Sequence, residues 1–107
     1  MTHAELAAQP IPTETGRLSR NKIDELMHDI PQWTRGVNAI VREFRFKSFP
    51  EAMEFVSRVA TLAHEQDHHP DIFISYTRVQ LTLSTHKLKS LTMNDFILAA
   101  KIDRLMP

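Results

Sequence analysis

The stretch Asp67-His68-His69-Pro70 decides the fold, because it fixes where the longest helix ends and where the second half of the sheet begins. Pro70 has no amide hydrogen and disfavours the α region for the residue before it, so a helix arriving from Ser48 ends at about Asp67 or His68. Two imidazoles are therefore left side by side at a helix end. Imidazole is the side chain that titrates nearest to neutral pH, so the pair indicates acid or base chemistry.

Strands are predicted on both sides of this helix. Residues 72–75 and 79–83 are rich in β-branched and large apolar side chains, and those of the second run alternate onto one face. Trp33 and a turn at Gly36 lead into residues 40–47, which form a half-buried strand in the same way, and the expected element order has two strands before the long helix. The sheet therefore has about four strands.

Three helices are predicted from their N-terminal capping residues and apolar stripes. Ser19 precedes the first stripe, Ser48-x-x-Glu51 is a capping box before the long helix, and Thr92-x-x-Asp95 is a second box before the last one. The order helix, strand, strand, helix, strand, strand, helix predicts an α+β fold. We expect a two-layer sandwich in which a four-stranded antiparallel sheet carries helices on one face.

Length and composition narrow the class of protein. The 107 residues suit a single domain, for which we predict residues 18–107, while residues 1–17 lack apolar periodicity and are expected to form a flexible arm. Thirteen basic and thirteen acidic residues cancel, which argues against binding to nucleic acid or to a membrane surface. There is no cysteine and no apolar run of the roughly 20 residues that span a bilayer, so we expect a cytoplasmic protein.

Residues 64–68 match the His-Glu-x-x-His pattern of zinc metalloproteases, in which two histidines share a helix face and the glutamate is a general base. Pro70 ends the helix directly after the second histidine, whereas that pattern needs a continuing helix and a third ligand. His86 or Asp95 would have to supply this ligand. We therefore expect no metal here, and a small zinc hydrolase that uses His64, Glu65 and His68 is the minor alternative.

The same residues also have plainer interpretations. His68 and His69 suit a solvated pair at a helix end, and His86 suits a single loop histidine. Asp95 occupies the N3 position of a capping box and would be retained for that reason alone. The acid–base hypothesis therefore depends on these residues coming together in the fold.

One family pattern accounts for the whole set of residues. Over roughly Leu18 to Leu105 the chain resembles pterin-4a-carbinolamine dehydratases, whose histidine motif is matched in residue type and spacing by His64, His68, His69, Pro70, Tyr76, His86 and Asp95. His64 stands where a carboxylate is frequent in that family, and this is a permitted variant. The resemblance implies the sandwich fold described above.

The resemblance also implies a reaction, the dehydration of 4a-hydroxytetrahydropterin to quinonoid dihydropterin by a hydro-lyase that supports tetrahydropterin recycling. By resemblance, His68 and His86 are the acid and the base, His69 binds and orients the substrate, and Asp95 supports an imidazole. The pterin site would be lined by Asp67, His68, His69, Ser84, Thr85 and His86.

The chemistry of this reaction suits the residues independently. Expelling hydroxide from C4a needs a proton donor and N5 must lose a proton, which imidazoles with an ordinary pKa near 6.5 can achieve without a cofactor. The resemblance further implies a homodimer or homotetramer joined through edge strands. The alternative function is a pterin-fold protein that binds a partner or regulates dimerisation without catalytic demand.

Overall fold

The fold is known from a computed structural model that describes residues 1–12 and 15–106. Thr13 and Glu14, in the predicted arm, and Pro107, at the end of the predicted domain, lie outside the described residues. The helices are α1 (His3–Ala8), α2 (Arg20–Met27), α3 (Phe49–Gln66) and α4 (Met93–Asp103), and the strands are β1 (Thr34–Arg35), β2 (Ile40–Arg45), β3 (Asp71–Ser75) and β4 (Arg78–Leu83).

The four strands form one antiparallel sheet in the order β1-β2-β4-β3. The central strands β2 and β4 pair Ile40 with Leu83 and Phe44 with Val79, and all four side chains are buried. Because paired residues share a face of the sheet, these side chains form the layer that the helices cover. The predicted α+β sandwich is confirmed.

The long helix α3 begins and ends where its capping residues predict. Ser48 is its N-cap, and the Ser48 hydroxyl accepts a hydrogen bond from the Glu51 N–H. The buried stripe of the helix consists of Ala52, Phe55, Val59 and Ala63. Phe49 and Ala60 also belong to the apolar pattern of this helix, but both are exposed.

The predicted flexible arm, residues 1–17, contains the helix α1. Thr2 and Glu5 form a capping box at its start, and the side chain of Leu6 is fully buried. Lys101 of α4 donates from Nζ to a backbone carbonyl of α1 at 2.8 Å. The Thr2 backbone N–H lowers the pKa of Glu5, so this cap is present at neutral pH and is lost as the pH falls through the lowered value. The division of the chain at residue 17 stays a prediction.

A largely buried carboxylate near the end of α4, that of Asp103, contacts three other parts of the chain. Asp103 accepts hydrogen bonds from Arg42 at 2.5 Å and from the Trp33 indole at 2.8 Å, and it lies 2.8 Å from Nε2 of His3. Arg42 lies on the same face of β2 as Phe44, and its guanidinium is 4.3 Å from the centre of that ring. The charge of Arg42 is therefore compensated inside the fold.

Within residues 1–12 and 15–106, no helix combines the length and the apolar character needed to cross a bilayer.

Candidate active site

Three chain segments meet at one end of the sheet: the end of α3, the start of α4 and the loop that follows β4. His68 at the end of α3 contacts Asp95 of α4 at 2.6 Å, and Thr85 after β4 contacts the same carboxylate at 3.0 Å. His86 in the same loop lies 3.8 Å from the Asp71 carboxylate, which directly follows Pro70. The predicted residues His68, Asp95 and Thr85 are therefore in direct contact, and His86 lies beside the segment that carries His69.

The end of α3 fixes the backbone of His68. The residue before it, Asp67, has φ of 52°, a left-handed conformation that usually falls to glycine. Its N–H donates to the His64 carbonyl at 3.2 Å, and the His68 N–H donates to the Ala63 carbonyl at 3.1 Å. These two bonds are those of a Schellman motif. Asp67 is exposed, and its observed role is in the backbone of this helix end.

Asp95 is the buried centre of the site. Its side chain is 0% exposed, and Oδ2 accepts a hydrogen bond from the Thr92 N–H at 2.9 Å in the capping box of α4. Oδ1 faces Nε2 of His68, whose side chain is only 11% exposed. One carboxylate therefore caps a helix and contacts an imidazole.

The other two histidines are open to solvent. His69 is exposed, and within the described part of the chain no hydrogen bond to its side chain is formed. The His86 side chain is 66% exposed, as is 71% of the Asp71 side chain beside it. Two accessible imidazoles therefore lie near one that is fixed by a buried carboxylate.

Two further residues lie near this site: Ser84, which the sequence predicted, and Asp71, which it did not. Ser84, half-buried at the end of β4, lies next to Thr85 in the chain. Asp71 was not predicted, although an acidic residue directly after His-His-Pro was a visible signal. Its contact with His86 depends on how the loop after β4 folds back, which the sequence pattern does not reveal.

The structure lacks the continuous helix that the zinc-protease pattern requires for its two histidines. Because α3 ends at Gln66 and Asp67 is left-handed, His64 and His68 do not lie on one continuous helix face. Nε2 of His68 already contacts Asp95. Among residues 1–12 and 15–106, no group of three His, Cys, Asp or Glu side chains is arranged to hold a metal ion. The five-residue match is best explained as accidental.

A separate cleft of about 380 Å³ lies along the N-terminal half of α3. It is lined by Phe46, Lys47, Glu51, Glu54, Phe55, Arg58 and Leu105. None of these is a predicted site residue.

Comparison with known proteins decides the family. A family model described as "Pterin 4 alpha carbinolamine dehydratase" matches residues 16–105. The chain belongs to the pterin-4a-carbinolamine dehydratase family. The resemblance inferred from residues 64–95 is therefore confirmed. Membership in this dehydratase family supports a lyase activity on a pterin carbinolamine.

Relatives from two bacteria carry the same family name. A protein of Chloroflexus aurantiacus named "Putative pterin-4-alpha-carbinolamine dehydratase" is 50% identical over 90 residues, covering 84% of this chain and 97% of that protein. A protein of the same name from Rubrobacter xylanophilus is 41% identical over 103 residues, covering 95% and 96%. The similarity therefore extends over nearly the whole length of these dehydratase-family relatives.

Two solved structures share the dehydratase fold. One, described as a transcriptional coactivator/pterin dehydratase from Brucella melitensis, has a TM-score of 0.81 and 34% identity, covering 86% of this chain and 100% of that one. Another, a pterin dehydratase-like protein described as a RuBisCO assembly factor in the alpha-carboxysome, has a TM-score of 0.60 and 27% identity, covering 69% and 88%. The descriptions of these two proteins thus name roles in transcription and in assembly as well as a dehydratase.

Proposed function

We propose that the protein dehydrates 4a-hydroxytetrahydropterin to quinonoid dihydropterin by histidine acid–base catalysis, as part of cytoplasmic tetrahydropterin recycling. The observation that carries this proposal is the contact of His68 with the buried Asp95, close to two accessible imidazoles. Family membership supports the reaction class. The substrate and the roles of the histidines are our proposal.

The reaction needs two proton transfers. The C4a–O bond breaks and the leaving hydroxide takes a proton from an imidazolium to form water. The N5–H proton passes to a neutral imidazole, and its electron pair forms the C4a–N5 double bond. Each transfer by a positioned group typically contributes about 10²- to 10⁴-fold to the rate. In our proposal His68 and His86 share these two roles.

The remaining site residues bind the substrate in this proposal. His69 is exposed and free of hydrogen bonds within the described residues, so its imidazole is available to orient a polar ring. Asp67 and Ser84 flank the histidines in the chain and contribute backbone groups to the pterin site. Asp95 holds His68 in place through the contact of its Oδ1 with Nε2.

The direct test is a stopped-flow assay with 4a-carbinolamine generated by an aromatic amino acid hydroxylase. We expect the purified protein to accelerate its loss well above the spontaneous rate. A rate equal to the spontaneous one would contradict the proposal and favour the alternative, a pterin-fold binding or regulatory protein. That alternative has support in the two solved structures described as a coactivator and an assembly factor.

The His69→Ala variant is expected to lose most turnover, about 10²-fold in kcat/KM, while its fold is intact, because an exposed side chain contributes little to stability. Stopped-flow kinetics and thermal unfolding measure the two effects. His28→Ala is the matched control, since His28 is an exposed histidine at the end of α2 and is expected to be fully active when replaced. Kinetics of His69→Ala close to wild type would refute the role of His69.

We also propose that the protein forms homodimers or homotetramers through the edge strand β3. Within residues 1–12 and 15–106, this strand pairs with β4 alone, and it exposes Ile72 and Phe73, with fractions of 38% and 55%. Tyr76, in the turn after β3, stacks on Phe49 of α3 with ring centres 6.4 Å apart, and both rings are exposed. An open edge with apolar side chains favours pairing with a second copy.

Sedimentation equilibrium tests this assembly. We expect the wild type to have at least twice the monomer mass, and Phe73→Asp to shift it towards the monomer because a charge is placed at the pairing edge. Val37→Asp is the control, since Val37 is 94% exposed in the loop between β1 and β2. A monomeric wild type, or equal masses for both variants, would contradict the proposal.

A further inference from the structure

We propose that Thr85 and Thr92 are positioning residues, which orient the Asp95 carboxylate so that His68 carries its proton on Nε2 and exchanges protons with substrate through Nδ1. The proton exchange with substrate in this proposal rests on the proposed function. The tautomer of His68 concerns the free protein alone. The sequence resemblance placed Thr85 among the residues that line the pterin, so this is a different role for the same side chain.

The number of hydroxyl hydrogens decides which group donates in this cluster. Thr85 Oγ1 lies 3.0 Å from Asp95 Oδ2 and 2.7 Å from Thr92 Oγ1. A hydroxyl has one hydrogen, and a carboxylate oxygen only accepts. Thr85 therefore donates to Asp95. The Thr85 oxygen accepts, so the hydrogen between the two threonines comes from Thr92.

Two hydrogen bonds fix the orientation of the Asp95 carboxylate. Oδ2 of Asp95 accepts two hydrogen bonds, from the Thr85 hydroxyl and from the Thr92 N–H at 2.9 Å. Rotation of the carboxyl group would break both in a site where Asp95 is 0% exposed, and unpaired polar groups are costly there. Oδ1 is therefore held towards His68.

The oriented carboxylate determines which nitrogen of the His68 ring carries the hydrogen. Oδ1 lies 2.6 Å from His68 Nε2, and because the carboxylate accepts, Nε2 carries the hydrogen. Neutral His68 then has its lone pair on Nδ1, which has no hydrogen-bond partner within residues 1–12 and 15–106. Nδ1 is thus the nitrogen that takes a proton from the substrate or returns one to it. The partner of one ring nitrogen sets the chemistry of the other.

Matched substitutions separate this role from substrate lining. Thr85→Val keeps the shape of the side chain and removes the hydroxyl, while Thr85→Ser keeps the hydroxyl. We expect Thr85→Val to lower kcat about tenfold with little change in KM, and Thr85→Ser to be close to wild type. A residue that binds the pterin directly would instead raise KM. That outcome, or unchanged kinetics of Thr85→Val, would overturn the positioning role.

A long-range ¹⁵N–¹H correlation spectrum of the free protein tests the proposal without substrate. We expect the His68 ring to show the Nε2–H tautomer in the wild type and in Thr85→Ser, and a mixture of tautomers in Thr85→Val. Thr85→Ala repeats the test if the valine variant fails to fold. An Nδ1–H tautomer in the wild type, or an unaltered spectrum in both hydroxyl-free variants, would overturn it. If the spectra agree but the protein has no dehydratase activity, the proposed function fails and the tautomer assignment stands.

Discussion

Replacing His68 by glutamine is expected to lower kcat/KM for carbinolamine dehydration about 10²- to 10⁴-fold, the usual contribution of one acid or base. Glutamine carries an amide NH₂ that can donate to Asp95 in place of Nε2, which lies 2.6 Å from Oδ1, but it does not titrate near neutral pH. The variant therefore removes proton transfer and retains the partner of the buried carboxylate. Stopped-flow kinetics measure the loss.

The glutamine variant is preferable to His68→Ala, which would leave Oδ1 of the fully buried Asp95 without a donor and would mix a stability defect with a catalytic one. Circular dichroism and urea unfolding of His68→Gln control for its fold. If His68→Gln is well folded and retains most of its activity, His68 is not a proton-transfer residue and the site hypothesis is wrong.

Of the variants proposed for this protein, Asp103→Ala is expected to destabilise the fold most. We expect its free energy of unfolding to decrease by about 3 to 5 kcal/mol. Asp103 and Arg42 are 9% and 18% exposed, so the variant leaves a largely buried guanidinium without its counter-charge. It also removes the acceptor of the Trp33 indole and the contact with His3. Urea unfolding followed by far-ultraviolet circular dichroism, at one protein concentration, measures the change.

Two variants control for this result. Asp103→Asn keeps the shape and one acceptor, so we expect a smaller loss than for alanine. Asp24→Ala breaks an exposed ion pair with Arg35 and is expected to cost less than about 1 kcal/mol. Equal effects of Asp103→Ala and Asp24→Ala would show that the buried pair contributes nothing beyond a surface pair.

The sequence predicted those parts of the fold that depend on local chemistry. Pro70, the N-cap Ser48 and the capping box at Thr92 place helix boundaries within a residue or two, because caps and prolines act on their own neighbours. The Glu51 side chain accepts from the Lys47 N–H, so the box predicted at Ser48 is only half formed. The helix α1 was missed, since six residues are too few to show an apolar period and Leu6 becomes buried through tertiary packing, in which α1 lies against α4. Local signals alone do not reveal tertiary docking.

At the candidate site, too, the sequence predicted the residue types but not the contacts that depend on tertiary folding. The residue types and spacing at His68, His86 and Asp95 predicted a cluster, and the structure brings His68 and Asp95 into contact. The hydrogen bonds of Thr85 to Asp95 and Thr92 were not predicted, because they depend on how a loop after β4 meets the start of α4. The contact of Asp71 with His86 was missed for the same reason.

The most direct test of the central claim is a crystal structure of the protein with a bound reduced pterin. We predict that the C4a–N5 edge of the ring lies within about 3 Å, hydrogen-bond reach, of the His68 and His86 imidazoles, with His69 against the same ring. A pterin bound instead in the cleft lined by Phe46, Phe55 and Arg58, with the histidines empty, would contradict the account.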